Sequence, residues 1–487
     1  MKISEYDFVC IGGGPGGLQA AIQAAKYGLR VAIVDRRPQI GGIATHATIP
    51  SKTLREAVLH QTGARQRAYE STQQAPITDV DFDELLNRVS VVRDQEVLSI
   101  ERELIRHNIT TIHGQGKFED ANTILVSTEK KGVVEKINVT KTIVIAAGTV
   151  PRRPDDITFD QEVIYDSNFI FSSKNKNNIL PKSMIVVGAG VIGTEYACMF
   201  ASLGCDVTLV DRRKEMFRFL DLDIYDQLLV SLSKSGIRIE LIETLGEISK
   251  TSDDRARMEL GDGRFVEAEA LLFAMGRTPC SFTLELDNTN VELGKYGVIS
   301  VNENYQTAEP HIYAVGDIIG FPALASTGAE QGRLAAHHAC GETINPCPEL
   351  FPFAIYTIPE ISMVGKTEKE LVDENVRYAV GFSFYRDLPK ATIIGDSDGG
   401  IKILIDCETK KILGVHIIGD LASELLHLGA QAMQLGATID TFVNTVFNFP
   451  TLSEIYKYAA LNCLDNLHAQ GYHLTDSMSG KMKSAPL

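Results

Sequence analysis

Gly12, Gly14 and Gly17 stand at the spacing GxGxxG inside Gly12-Gly13-Gly14-Pro15-Gly16-Gly17. Glycines so placed permit a tight turn and a close backbone approach, so that a pyrophosphate can rest on the N-terminus of the helix that follows. The context makes the pattern specific. The apolar run Phe8-Val9-Cys10-Ile11 precedes it, a helical stretch from Gly17 to Tyr27 follows, and a second strand, Arg30 to Val34, ends on Asp35, where a ribose diol would be held. The same order returns later in the chain. Gly188, Gly190 and Gly193, with Val191 between them, separate a strand at Ser183–Val187 from a helix at Thr194–Leu203, and the next strand, Asp206–Val210, closes on Asp211. Two dinucleotides are implied. Asp211 suits the ribose 2′-hydroxyl of NAD, whereas Arg212 and Arg213, with Arg218 nearby, suit the 2′-phosphate of NADP, and these residues do not choose between them.

The elements that must position these loops are βαβ units, and their duplication argues for two Rossmann-like dinucleotide-binding domains of α/β class. Between the loops, Ser51 to about Arg106 is helical in pattern, interrupted by the polar stretch Thr72–Asp81, with strands around Thr110–His113 and Thr142–Ala146. After about Pro346, short β-rich runs (Ile361–Val364, Ile401–Leu404, Ile412–Ile418) mix with a helix at Ala422–Leu435, which reads as a separate α+β domain. The expected organisation is a discontinuous first domain over 1–150 and 281–345, a second nucleotide domain over 151–280, a C-terminal domain over 346–467, and a mobile tail over 468–487.

Composition narrows the function classes. A length of 487 residues calls for several domains, and 44% apolar with 23% charged residues fits an ordinary globular protein. No run of about 18 apolar residues offers a membrane span. A formal net charge of −16 disfavours sequence-independent binding to nucleic acid or to an anionic membrane surface. The N-terminus enters its first strand within a few residues, without room for a signal peptide, so the cytoplasm is the expected location. Eight cysteines are scattered without CxxC or a regular framework, as in reducing compartments, and no metal site is expected.

With these motifs the chain, from Tyr6 to about Leu467, resembles the pyridine nucleotide-disulfide oxidoreductase family. The markers beyond the glycine loops are Ile49-Pro50-Ser51-Lys52, Ala146-Ala147-Gly148-Thr149-Val150-Pro151, Ala274-Met275-Gly276-Arg277-Thr278-Pro279 and Ile312-Tyr313-Ala314-Val315-Gly316-Asp317. The resemblance implies FAD on the first domain, NAD or NADP on the second, and a homodimer formed through the C-terminal domain. It gives Asp317 the flavin's ribityl chain, and it makes Lys52 a cation beside the flavin paired with Glu195, the two residues expected to be catalytic. It also carries cofactor contacts onto Gly42, Thr48, Ala147, Gly148, Gly276 and Ala325.

The departures from the family are as informative as the matches. Disulfide reductases of this family carry CxxxxC just before Ile-Pro-Ser-Lys; residues 41–50 here, Gly-Gly-Ile-Ala-Thr-His-Ala-Thr-Ile-Pro, hold no cysteine and are one residue fewer. The family's C-terminal His-Pro-Thr-x-Ser-Glu reads Phe449-Pro450-Thr451-Leu452-Ser453-Glu454, and phenylalanine transfers no proton. His46 reads as a packed or solvated loop histidine rather than a proton donor. Stretches such as Ile355-Tyr356-Thr357-Ile358-Pro359-Glu360 and Phe447-Asn448-Phe449-Pro450-Thr451 are similar to the family's soluble transhydrogenase branch. The favoured expectation is therefore hydride transfer between NADPH and NAD through FAD, without a redox disulfide. The alternatives are a diaphorase that passes electrons from NAD(P)H to a quinone-type acceptor, or a non-catalytic flavoprotein with a binding or sensing role.

Overall fold

The computed structural model describes residues 1–62, 82–168, 170, 180–213, 215–345 and 350–470. Over these residues the chain forms two compact units. One is drawn from Met1–Ala57, Asp81–Gly193 and Ile242–Glu349, the other from Val58–Val80, Thr194–Leu241 and Leu350–Leu487. No described helix is long and apolar enough to cross a membrane.

In the first unit the strand Lys2–Ile11 lies between Val31–Asp35 and the long strand Gly132–Ile145, parallel to both. Thr110–His113 extends the sheet beyond Val31–Asp35, and Ile312–Ala314 pairs in parallel with the end of Gly132–Ile145. Thr123–Thr128 and Gln115–Asp120 continue it antiparallel on the other side. Both faces of the first strand's last four residues, Phe8–Ile11, are covered, and that stretch is apolar without a break. Phe8 and Cys10 pack with Leu18, Ala21 and Ala24 of the helix Pro15–Lys26, whereas Val9 and Ile11 pack with Phe118, Ile124 and Val126 of the antiparallel strands. The same unit holds Ala270–Phe273 between Ile164–Asp166 and Ser183–Val187, all parallel, and an antiparallel meander of Ile248–Lys250, Ala256–Glu259 and Phe265–Ala268.

In the second unit Asp206–Asp211 pairs in parallel with Arg238–Leu241. Its largest sheet is antiparallel, in the order Phe353–Ile355, Ile361–Gly365, Ile412–Ile418, Gly400–Asp406, Tyr378–Phe384. The helices Ala422–Gln434 and Ile455–Ala469 supply the rest of its core through Leu425, Leu426, Tyr456, Ala459 and Cys463.

Most sequence-predicted elements form, with shifted ends. Both helices that follow glycine loops start inside the motif, at Pro15 and at Val191, rather than at Gly17 and Thr194. Proline at the first helical position is pre-set for helix and gives up no needed donor, which explains the first case. The helical region expected after Ser51 forms as Ile49–Gln61 and Phe82–Arg106, and the expected break at Thr72–Asp81 lies outside the described residues. So does the expected tail from 471 onward, while His468 and Ala469 finish the last helix.

One half-buried acid works against stability. Burial raises the Asp396 carboxyl to about 6, helped by the Asp420 charge and opposed by the Asp420 N–H that it accepts at 3.0 Å. A carboxyl raised on folding leaves its full contribution in place only below the unfolded value near 3.8, and that contribution is lost as pH rises through about 6. Asp396→Asn should therefore stabilise the protein by about 1–2 kcal/mol at pH 7.5 and leave it unchanged at pH 3.5. Denaturant melts at the two pH values check this, and equal effects at both would refute it.

Candidate functional site

Gly12 has φ of +107°, and a Cβ on it would lie 2.2 Å from the Ala146 carbonyl oxygen; a Cβ on Gly17 would lie 2.0 Å from the Gly12 carbonyl oxygen. Backbone therefore packs directly on backbone where the strand turns into the helix. Asp35 locks the turn from the side, its Oδ2 accepting from the Gly13 N–H at 2.6 Å and its Oδ1 from the Arg37 N–H at 2.8 Å. The helix that begins at Pro15 has Gly14 as its N-cap, with no side-chain cap and no acid in its first turn. Its leading N–H groups are left for an anion.

These residues wall one side of a cleft that opens to solvent and encloses, with that open space, about 1030 Å³. Gly12, Gly14, Asp35, Gly42, Thr48, Ala147, Gly148, Asp317 and Ala325, all singled out in the sequence, line it together. Gly17 supports the turn from beneath, and Lys52 is not among the lining residues. A second helix, Ala325–Ala339, also starts at the cleft without a side-chain cap, so two helix N-termini open there. Asp317 sits in a short 3₁₀ turn and is not a helix cap. Its Oδ2 accepts from Thr149 Oγ1 at 3.2 Å, and Arg277 bonds Thr149 through Nε (2.8 Å to Oγ1) and Nη2 (2.9 Å to the carbonyl). A cleft with glycine walls, an acid anchored near each of two turns, and two uncapped helix starts fits a dinucleotide with a central pyrophosphate.

The cleft also contains residues that the sequence did not single out: Arg36, Arg37, Gly114-Gln115-Gly116, Thr283 and Cys280. Arg37 reaches across to the Gly42 carbonyl at 3.2 Å. The bend at Gly114 and the first residues of the strand Gln115–Asp120 follow the third parallel strand, where an open α/β sheet presents its ligand-binding edge, and that strand's position was the only available signal. Burial pushes the Cys280 thiol up, against the pull of Arg36, Arg277 and Arg37, so it is no ready thiolate.

Residues 44–48, which stand where disulfide reductases carry CxxxxC, with Ala44 in place of its first cysteine, form one π-helical turn closed by the Ile49 N–H on the Ala44 carbonyl. Ala44 and Thr48 face the cleft, and neither can form a thiolate. His46 donates from Nε2 to the Gln39 carbonyl (3.1 Å), and burial lowers it from its ordinary range, which keeps it neutral.

The second loop repeats the first in its backbone logic. Gly188 has φ of +109°, a Cβ there would lie 2.6 Å from the Ala274 carbonyl oxygen, and one on Gly193 would lie 1.9 Å from the Gly188 carbonyl oxygen. Gly190 and Val191 lie in the turn and at the start of the helix Val191–Ser202, and Gly276, with φ of +97°, accepts the Arg152 N–H at 3.0 Å. Within the second unit, Asp211 ends its strand buried and receives Arg213 through the backbone N–H (2.8 Å), Nε (3.0 Å) and Nη2 (2.6 Å), leaving Arg212 exposed. Glu195, 3% exposed, accepts the Tyr356 N–H at 2.8 Å. In the first unit Lys52 Nζ lies 3.5 Å from Ser51 Oγ.

Fold and cleft together define a two-nucleotide oxidoreductase. The model of the pyridine nucleotide-disulphide oxidoreductases matches residues 6–332 and that of their dimerisation domain matches 351–460; the chain belongs to this family. It is 44% identical to a soluble pyridine nucleotide transhydrogenase of Mycobacterium bovis over 96% of this chain and 98% of that protein, and 40% identical to one from a Marinomonas species over 95% and 99%. Among solved structures, LpdA of Mycobacterium tuberculosis superposes with a TM-score of 0.84 at 26% identity, covering 95% of this chain and 99% of that one.

If the cleft holds a dinucleotide, Gly12→Ala should cost the bound cofactor, since the new methyl group cannot fit beside Ala146. Flavin released by acid from purified Gly12→Ala protein should fall at least about tenfold relative to the parent, as expected when an overpacking cost of 1–3 kcal/mol falls on the binding turn. Full flavin occupancy in a folded variant would overturn the assignment.

Proposed function

We propose that the chain is an FAD-dependent transhydrogenase that moves a hydride between NADPH and NAD without using a disulfide. The observation that carries this reading is the cleft wall at Ala44 and Thr48, which offers no thiol while both glycine loops keep their full backbone geometry. The relatives named as soluble pyridine nucleotide transhydrogenases support the same activity. In this reading the first nucleotide domain spans 1–150 and 281–345, the second 151–280, and the dimerisation domain 346–467. The protein is a homodimer of the cytoplasm with nicotinamide dinucleotides as its partners.

When bound, FAD would supply reversible hydride chemistry, and the net reaction converts NADPH and NAD⁺ into NADP⁺ and NADH with electrons and protons in balance. The chain's own part is binding, orientation and charge. The turn at Gly12–Gly17 and the anchored Asp35 hold the adenosine half of FAD, and Asp317 holds its ribityl chain. Lys52 favours negative charge developing beside it, and Glu195 is the second residue to which this reading gives a catalytic part. Gly188, Gly190, Val191 and Gly193 seat the nicotinamide nucleotide, with Gly276 at its margin. Asp211 and Arg213 form a pair that answers both substrates: the carboxylate accepts a 2′-hydroxyl, and the guanidinium, with Arg212, meets a 2′-phosphate.

Anaerobic titration with NADPH should bleach the flavin near about 450 nm without a long-wavelength thiolate band, and alkylation of accessible cysteines should leave transfer to a thio-NAD acceptor intact. Loss of turnover on alkylation, efficient reduction of lipoamide, or transfer to quinones far outpacing transfer to thio-NAD would each refute the proposal. Asp211→Ala should raise KM for NADH about tenfold, the cost of one hydrogen bond to a charged acceptor, and raise that for NADPH less; equal effects would remove Asp211 from 2′ recognition.

A further inference from the structure

In the second unit a lysine is buried in the middle of a sheet. Lys402, 0% exposed, stands in the strand Gly400–Asp406 opposite Phe382 and His416, between the fully buried Ile401 and Ile403. Its ammonium meets Asp221 at 2.6 Å and Asp223 at 2.5 Å, and also bonds Glu368. Burial pulls the ammonium down, and the three carboxylates more than reverse this, so it stays charged. His416, its cross-strand neighbour, is lowered by burial and stays neutral. Asp221 is 1% exposed and serves three donors: Lys402 Nζ, the Glu368 N–H at 3.1 Å, and the Asp223 N–H at 3.2 Å as N-cap of the helix Leu222–Lys234.

This arrangement is a costly way to gain stability, because desolvating charges offsets much of their attraction and a well-packed apolar residue does as well or better. What it does provide is a fixed position. Asp221 is the far end of the segment that leaves the strand at Asp211 and carries Arg212, Arg213 and Arg218. The near end is held by the Asp211–Arg213 pair. Between the ends, Met216, Phe217 and Leu220 are buried, and Phe219 stacks edgewise on Phe217 (5.9 Å between centroids) and Phe353 (5.2 Å).

We infer that Lys402 is a positioning residue for nicotinamide nucleotide selection: by fixing Asp221 it sets the course of the arginine-bearing segment 211–221 that meets the 2′-phosphate of NADPH. The inference rests on the reading of Asp211, Arg212 and Arg213 as the 2′ site. A 2′-phosphate is bound through several directional contacts from this segment, whereas a 2′-hydroxyl needs only the Asp211 carboxylate at the strand end, so loosening the far end penalises NADPH selectively.

The test compares KM and kcat for NADPH and NADH in Lys402→Met, Asp221→Asn and Arg212→Ala, with flavin content and thermal midpoint measured alongside. Lys402→Met should raise the NADPH KM about three- to tenfold relative to that of NADH with kcat and flavin content held. Asp221→Asn, which keeps a good helix cap, should move the ratio the same way by a smaller factor. If Arg212→Ala shifts the ratio but the Lys402 and Asp221 variants change only the thermal midpoint, the inference falls and the 2′ site stands. If Arg212→Ala leaves the ratio unmoved as well, the reading of the 2′ site falls and the inference with it. Should Lys402→Met not fold, Asp221→Asn decides, and an unmoved ratio in it overturns the proposal.

Discussion

At Gly12 and Gly17, and again at Gly188 and Gly193, strand and helix approach until backbone touches backbone, with room for no side chain between them. Everything at the cleft depends on that contact. It lets a helix start within a few residues of the strand's end, so that its first N–H groups emerge at the sheet edge instead of being buried behind it. It fixes Gly13 within 2.6 Å of Asp35, which in turn fixes the next strand's end. A methyl group at Gly12 or Gly17 would push helix from strand, and the acid, the N–H groups and the turn at Ala146–Thr149 would no longer face one volume.

The charges around the cleft follow from this constraint. Asp35 and Asp317 are not left to solvent: one is tied by two backbone N–H groups, the other by Thr149 beside Arg277. A carboxylate so held accepts further hydroxyls without reorienting, which suits a polyhydroxylated ligand. Arg36, Arg37 and two uncapped helix starts balance the acids and make the cleft hospitable to phosphate. Against this, the wall at residues 44–48 is chemically quiet. Thr45 is buried with its hydroxyl unpaired, Ala44 is inert, and His46 is turned to a carbonyl and neutral.

The strand, turn, helix and acid order was legible because glycine spacing and apolar periodicity are local signals. Nine of the residues marked in advance meet at one cleft, drawn from stretches as distant as Gly12 and Ala325. The strands Gln115–Asp120 and Thr123–Thr128 and the meander over 248–268 were not legible, since short strands with mixed faces lack a clear period. Arg37 stands two residues past Asp35, as Arg213 stands past Asp211, so the same local signal was available for it, whereas Cys280 reaches the cleft only through tertiary folding. The partner of Asp211 was half legible: Arg213 was read as a phosphate ligand, but its return onto the acid two residues earlier is a geometric fact that spacing does not reveal.

The C-terminal motif closes the argument about thiol chemistry from a different side. A general acid for a thiol must carry an exchangeable proton, and Phe449 carries none. It is 70% exposed, with Val446 at 92%, and Tyr458 and Leu461 on the helix that follows are also largely exposed. Large apolar side chains left in water along one stretch of a dimerisation domain are unfavourable in the single chain and favourable once a second copy covers them. Phe449 thus offers apolar surface that a second copy would cover. A site that had kept a thiolate would lose its proton donor by this change; a site that moves only hydride loses nothing, and so the loss of the histidine is coherent with the absence of cysteine at residues 41–50.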